Sequence, residues 1–122
     1  ALRKIASIKA KVIITTDHGT IRVKKPFKII GDRNTNTNLR YKQGRNLSYT
    51  PSNVMEVPKP ERLFLPKQNM SSTYAIAIED NFFVYPNNYN HFANHFRDTF
   101  QHGGVSMEEM IIPIITLKTK IS

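Results

Sequence analysis

Residues 99–117 read TFQHGGVSMEEMIIPIITL. His102 is followed by Gly103 and Gly104, two residues without Cβ that let the backbone turn sharply beside an imidazole. Ser106-Met107-Glu108-Glu109 fits the S-x-x-E capping box, which predicts a short helix with Ser106 at its start and Glu109 reaching back. Pro113 ends or kinks that helix, because its ring supplies no N–H. The run from Ile111 to Leu117 is apolar almost throughout and predicts a strand buried on both faces. A histidine set on a Gly-Gly turn before a capped helix and a buried strand is a positioned side chain. Two readings of it are open: a metal ligand, or a turn whose histidine faces water. One histidine defines no site.

Working outward to the start of the chain, Leu2 to Ala10 has a roughly helical apolar period and no capping signal before it. Lys11 to Thr16, KVIITT, is a β-branched run that predicts a buried strand. A helix leading directly into a buried strand is half of a βαβ unit, so the chain is expected to be a fragment. Asp17-His18-Gly19 follows the strand at once. In open α/β sheets ligands gather at the carboxyl ends of strands, and Asp with neutral His are good zinc ligands. The other reading is a turn in which Asp17 bonds its own backbone.

The middle of the chain is more polar. TIRV and FKII, within Thr20 to Ile30, predict two strands with Pro26 at a turn or edge. Gly31 to Asn46 carries Arg33, Arg40, Lys42 and Arg45 around Tyr41 with almost no apolar residue. Arginines beside an aromatic ring suit phosphate contact and base stacking. A solvated connecting loop is the alternative, and either reading predicts exposed side chains and little order. Prolines 51, 58, 60 and 66 exclude long elements up to Asn69, with Met55 to Val57 a short edge strand and Leu63, Phe64 and Leu65 anchors on the core. Tyr74 to Ile78 and Phe82 to Tyr85 predict a hairpin about Glu79-Asp80-Asn81. A helix is predicted from about Tyr89 to Phe100, with Phe92, Phe96 and Phe100 on one face. His91 and His95 share another face at a zinc-compatible spacing, without a glutamate between them.

At 122 residues the chain is one domain or a piece of one, and its 39% apolar content supports a modest core. No apolar run reaches membrane-spanning length, and Arg3, Lys4 and Lys9 interrupt the N-terminus too early for a signal peptide. The absence of cysteine excludes disulfides and thiolate metal sites and fits a cytoplasmic location. The charge of +9 is uneven: residues 1–70 hold 15 of the 18 Lys and Arg but four of the nine acids. That asymmetry fits a polyanionic partner, phosphate being the commonest, and equally a basic surface for solubility or for an acidic neighbouring domain.

Together TTDHGT at 15–20, YPNNYN at 85–90 and FQHGGVSMEEMIIPII at 100–115 resemble the C-terminal part of the PglZ domain, a branch of the alkaline phosphatase superfamily. The nearest likeness is to the PglZ domain of PorX-type response regulators, associated with type IX secretion in Bacteroidetes. The resemblance implies an α/β fold: the C-terminal fragment of a mostly parallel sheet flanked by helices, with added hairpins. Residues 1–122 would then be the C-terminal portion of the domain, without the receiver domain and the first part of the PglZ domain. It also implies two zinc ions, one held by Asp17 and His18 and the other by His102. The family's Thr or Ser nucleophile, early Asp ligand and further Asp and His pair would lie N-terminal to Ala1, so the chain alone is expected to be inactive. The implied activity is that of a zinc-dependent phosphodiesterase on cyclic or linear oligonucleotides. Its implied partners are the rest of the parent chain, the phosphoester substrate and a second copy in a homodimer, with no membrane. The competing class is a non-catalytic signalling or dimerisation module. The hydrolase reading predicts that KVIITT and the Ile111–Leu117 run are neighbouring inner strands, with Asp17, His18 and His102 close together at one end.

Overall fold

Short β-branched runs punctuated by prolines and asparagines fold into strands of two to six residues. The computed structural model describes residues 1–120. In order these are α1 (Leu2–Ile5), β1 (Lys11–Thr15), β2 (Ile21–Arg22), β3 (Lys25–Ile30), β4 (Tyr41–Gly44), β5 (Ser48–Tyr49), β6 (Val54–Val57), β7 (Thr73–Ala77), β8 (Asn81–Val84), α2 (Tyr89–Phe96), β9 (Phe100–Gln101), α3 (Met107–Met110) and β10 (Ile114–Lys118). Single 3-10 turns occupy Pro51–Asn53 and Pro60–Leu63.

The strands form four small sheets, β1–β10, β2–β9, β5–β3–β8 and β4–β7–β6. Only β3 and β8 run parallel, and the other pairings are antiparallel. The fold is mixed α/β as expected, but these residues do not form a mostly parallel sheet flanked by helices. Parallel sheets need helices over both faces, and here two helices are single turns and the third has eight residues.

Strand alternation builds the core. Phe82 and Val84 of β8 face one way, onto Ile21, Val23 and Ala93, with Phe96 beside them. Phe83, between them, faces the other way onto Ile29, Ala75 and Ala77. Strand β7 repeats the pattern: its alanines join that second cluster, and Tyr74 and Ile76 meet Val57 on the opposite side. Thus β7 and β8 are neighbours in the core without forming the expected hairpin. The turn after β7 passes through Glu79 at φ +51°. The Asp80 carbonyl accepts the Lys24 and Lys25 amides at 2.8 and 3.3 Å, drawing β8 alongside β3.

Other expectations shift at their boundaries. Helix α2 stops at Phe96 because Asp98 takes φ +64° and its amide bonds the Val23 carbonyl, leaving Phe100 exposed in β9. Val54–Val57 is an edge strand as read. Leu65 packs on the core, whereas Leu63 is exposed and Phe64, at φ +56°, is 97% exposed. Strands β1 and β10 are neighbours, with Ile13 opposite Thr116, but they are not inner strands. Ile13 is 59% and Ile114 72% exposed.

The basic segment departs furthest from its reading. Arg33 and Arg45 are exposed, but Arg40 and Lys42, read as substrate contacts in a mobile loop, are buried. Asparagine side chains organise the segment as substitute backbone. Asn36 accepts from the Gln43 amide and donates to the Tyr41 carbonyl. Asn38 accepts from the amides of Arg40 and Tyr41. This turns the chain into β4 and sends Arg40 inward to Glu109, with Nε and Nη2 donating to the two carboxylate oxygens at 2.9 and 3.0 Å. Arg40 Nη1 also donates to the Asn81 carbonyl. The capping box is present as read, so Glu109 also accepts from the Ser106 amide and hydroxyl and from the Gly104 amide. Burial works against its charge, but the bonds from Arg40, Ser106 and Gly104 outweigh that cost and hold its carboxyl below the usual glutamate range.

A carboxyl whose folded pKa lies below its unfolded value of 4.5 contributes its stability in full above that value. That contribution is lost as pH falls through the lower folded value. Urea unfolding from pH 7 to pH 3 should therefore show stability declining below about pH 4.5. Glu109→Gln should start lower at pH 7, by roughly 3–5 kcal/mol for a broken buried pair, and decline less on acidification. An equally steep acid limb in that variant would assign the pH dependence to other carboxylates.

Candidate functional site

Two backbone pairings bring Asp17-His18-Gly19 and His102-Gly103-Gly104 together. After β1 the Gly19 amide donates to the Glu109 carbonyl at 2.9 Å, pressing the chain against α3. A Cβ at Gly19 would lie 1.9 Å from the Glu108 carbonyl oxygen, so only glycine permits this approach. Next, Ile21 of β2 pairs with Gln101 of β9, which sets His102 opposite the segment that leaves His18. Asn38 Nδ2 holds the His102 carbonyl at 3.1 Å, and Gly103 then turns away at φ +108°.

The result is a stack of two imidazoles from distant parts of the chain. The His18 and His102 rings lie 3.7 Å apart between centroids and 14° from parallel. His18 Nδ1 is 2.8 Å from the Gly19 carbonyl, which can only accept, so Nδ1 carries a proton and the neutral ring has its lone pair on Nε2. That Nε2 lies 3.5 Å from Asp17 Oδ1. Asp17 is exposed, and its own backbone amide and then the neighbouring His18 hold its carboxyl below the usual range, so it is an anion at neutral pH.

The donor set suits zinc. Bonds of about 2.0–2.2 Å in a tetrahedron place neighbouring ligand atoms about 3.4 Å apart, close to the observed Asp17 Oδ1 to His18 Nε2 distance of 3.5 Å. Stacked rings cannot both point at one ion along their planes. Their 3.7 Å separation does match the spacing of about 3.5–4 Å between ions of two-metal sites. Among the described residues no three His, Asp or Glu side chains gather around a single point, so each ion would need ligands beyond these.

Of the other sequence candidates, His91 and His95 lie on an exposed face of α2 with rings 6.1 Å apart, and no carboxylate among the described residues joins them. Arg45 bonds Asp32 at 3.4 Å. Lys42 is not on the surface, but it lines a cleft that His102 also lines, and burial lowers its ammonium pKa to about 8. The sequence reading missed Asn38 as the residue that fixes the His102 backbone. Its signal was the asparagine-rich NTNTN run, which reads first as a loop.

With this geometry in view, the model of the BREX-system PglZ alkaline-phosphatase-like domain matches residues 2–117. The chain belongs to the PglZ family. No curated protein matches it. The match spans both histidine motifs, so the stacked pair lies within the matched region. No helix among the described residues is long and apolar enough to cross a membrane.

Gly19→Ala should destabilise the protein by about 1–3 kcal/mol through overpacking against α3. It should also move the amide resonances of both Glu109 and His102. Unchanged stability and an unchanged His102 amide would show that the turn is not held by α3.

Proposed function

We propose that Asp17, His18 and His102 are the C-terminal share of a two-zinc phosphoester hydrolase site, completed by residues elsewhere in the parent protein. The stacking of His18 on His102 at 3.7 Å carries the reading, because two imidazoles parallel at that spacing suit a pair of adjacent ions. Asp17 and His18 would hold one ion and His102 the other. When bound, zinc polarises phosphoryl oxygens and activates the nucleophile. The chain's own part is to fix the ligands. The Gly19 carbonyl accepts a hydrogen bond from His18 Nδ1 and leaves Nε2 beside Asp17, while Asn38 and the Gly103 turn fix the His102 backbone. The excess of positive charge on residues 1–70 fits a polyanionic substrate.

The likeness of TTDHGT, YPNNYN and the HGGVSMEE stretch to PorX-type domains supports a finer reading. The parent would be a cytoplasmic response regulator whose PglZ domain is a phosphodiesterase on cyclic or linear oligonucleotides. The second reading, a signalling module that dimerises, is favoured by one observation, the bare isoleucines of β1 and β10.

The test is zinc content and phosphodiester turnover of the complete parent protein. His18→Ala and His102→Ala should each lower bound zinc by about one ion per chain. Each should also slow turnover of a chromogenic phosphodiester at least about 100-fold, or about 2.7 kcal/mol in barrier. The 122-residue chain alone should show no turnover. A parent that binds no zinc and turns over no phosphodiester would leave the dimerisation module as the better account, whereas one that keeps both metal and activity in the histidine variants would carry its site on other residues.

A further inference from the structure

The PglZ match assigns nothing to the cleft of about 470 Å³ that opens beside His102, between α2 and the β8 strand. Its volume falls among those of sites that enclose small molecules, roughly 300–1,000 Å³. Phe92 and Phe96 line it with rings 6.2 Å apart between centroids and 15° from parallel, and Leu39 lies among the lining residues. Such walls suit a flat apolar face.

Several polar side chains also line the cleft, and two of them, Lys42 and Gln101, are incompletely used. Lys42 Nζ donates to the Asn36 carbonyl at 3.0 Å and sits 4.5 Å from the centre of the Tyr85 ring. An ammonium has three N–H donors, and these two contacts leave one without a partner among the described residues. Gln101 donates through Nε2 to the Thr99 hydroxyl at 2.9 Å. Its Oε1 has no hydrogen-bond donor among the described residues. An occupant that satisfies both groups must accept a hydrogen bond near Lys42 and donate one near Gln101. A hydrocarbon chain does neither, and a bare phosphate would leave the aromatic wall unused.

We propose that this cleft binds a flat heteroaromatic ring, carried by the organic group of the ester whose phosphate lies at His18 and His102. The link to the phosphate rests on the hydrolase reading above, since His102 both stacks on His18 and lines the cleft. The ring pocket stands on its own geometry. The ring lies against Phe92 and Phe96, with its acceptor edge to Lys42 and its donor edge to Gln101.

The probe is 2-aminopurine, a fluorescent heteroaromatic with both donor and acceptor edges. Its anisotropy is followed as the protein is titrated, with 2-naphthol as a ring of similar shape lacking ring nitrogens. The expected result is saturable 2-aminopurine binding, at least tenfold tighter than that of 2-naphthol. Phe92→Ala, at an exposed position, and Gln101→Leu should each weaken it at least tenfold, while Phe64→Ala, at an exposed residue outside the cleft, leaves it unchanged. No saturable binding, equal affinity for the two rings, or affinity unaltered in both cleft variants would overturn the pocket. Both measurements are made on the complete parent protein, where zinc content separates the two readings: zinc without ring binding refutes the cleft alone, and ring binding without zinc refutes the metal site alone.

Discussion

The buried ion pair of Arg40 with Glu109 is the constraint on which the rest of the site depends. A carboxylate removed from water is costly unless its oxygens are occupied, and Glu109 meets five donors: two from Arg40, two from Ser106 and one from the Gly104 amide. Those donors come from the residue just before β4, from the start of α3 and from the turn just after His102, so one carboxylate joins three parts of the chain. Gly104 must lack a side chain for this, because a Cβ there would lie 2.7 Å from Glu109 Oε2 and 2.9 Å from Arg40 Nε. The Glu109 carbonyl takes the Gly19 amide as well. Both histidine motifs are therefore referenced to the same residue, one through its side chain and the other through its backbone.

Physical range separates what was legible in the sequence from what was not. The capping box was legible because Ser106 and Glu109 satisfy each other within a single turn. The closeness of the Asp-His and His-Gly-Gly motifs was legible through the family resemblance and through two apolar runs that pair. Arg40 and Lys42 were misread because a charged residue between polar neighbours looks solvated. What buries them is a carboxylate 69 residues away for Arg40 and, for Lys42, the Asn36 carbonyl together with the Tyr85 ring. The sense of β8 was misread for a related reason. A short turn between two apolar runs predicts a hairpin, but the backbone of Lys24 and Lys25 competes for Asp80 and wins.

Strands β1 and β10 show the limit of reading burial from composition. Their isoleucines and valine have the content of an interior strand, and they pair in register over five residues, yet Ile13, Ile14, Ile114 and Ile115 remain exposed. A two-stranded ribbon is marginal in water without a layer packed on it. The apolar content of these strands thus states a requirement for cover that the described residues leave unmet. Further protein of the parent chain or a second copy would each supply it, and the hydrolase and dimerisation readings divide at that point. The histidine stack sits at the end of this same ribbon, since β1 runs directly into Thr16 and Asp17. Whatever covers the ribbon therefore lies next to the candidate ligands.

Charge then decides how such a site can fill. Two unit charges 4 Å apart in bulk water repel by about 1 kcal/mol, so two divalent ions at that spacing repel by about 4 kcal/mol, and by more as water is excluded. Against this the chain offers one carboxylate, Asp17, and two neutral donors, on a protein that already carries +9. On the proposed reading, occupancy of both positions waits on further anions. Carboxylates elsewhere in the parent would supply some, and the phosphate of the substrate would supply another. An anion that binds between the ions lowers their mutual repulsion, and linkage requires the ions to tighten its binding by the same factor. Metal and phosphoester would in that case favour each other's binding. That mutual dependence follows from the scarcity of acids around His18 and His102, not from any contact one ligand makes with the other's protein partners.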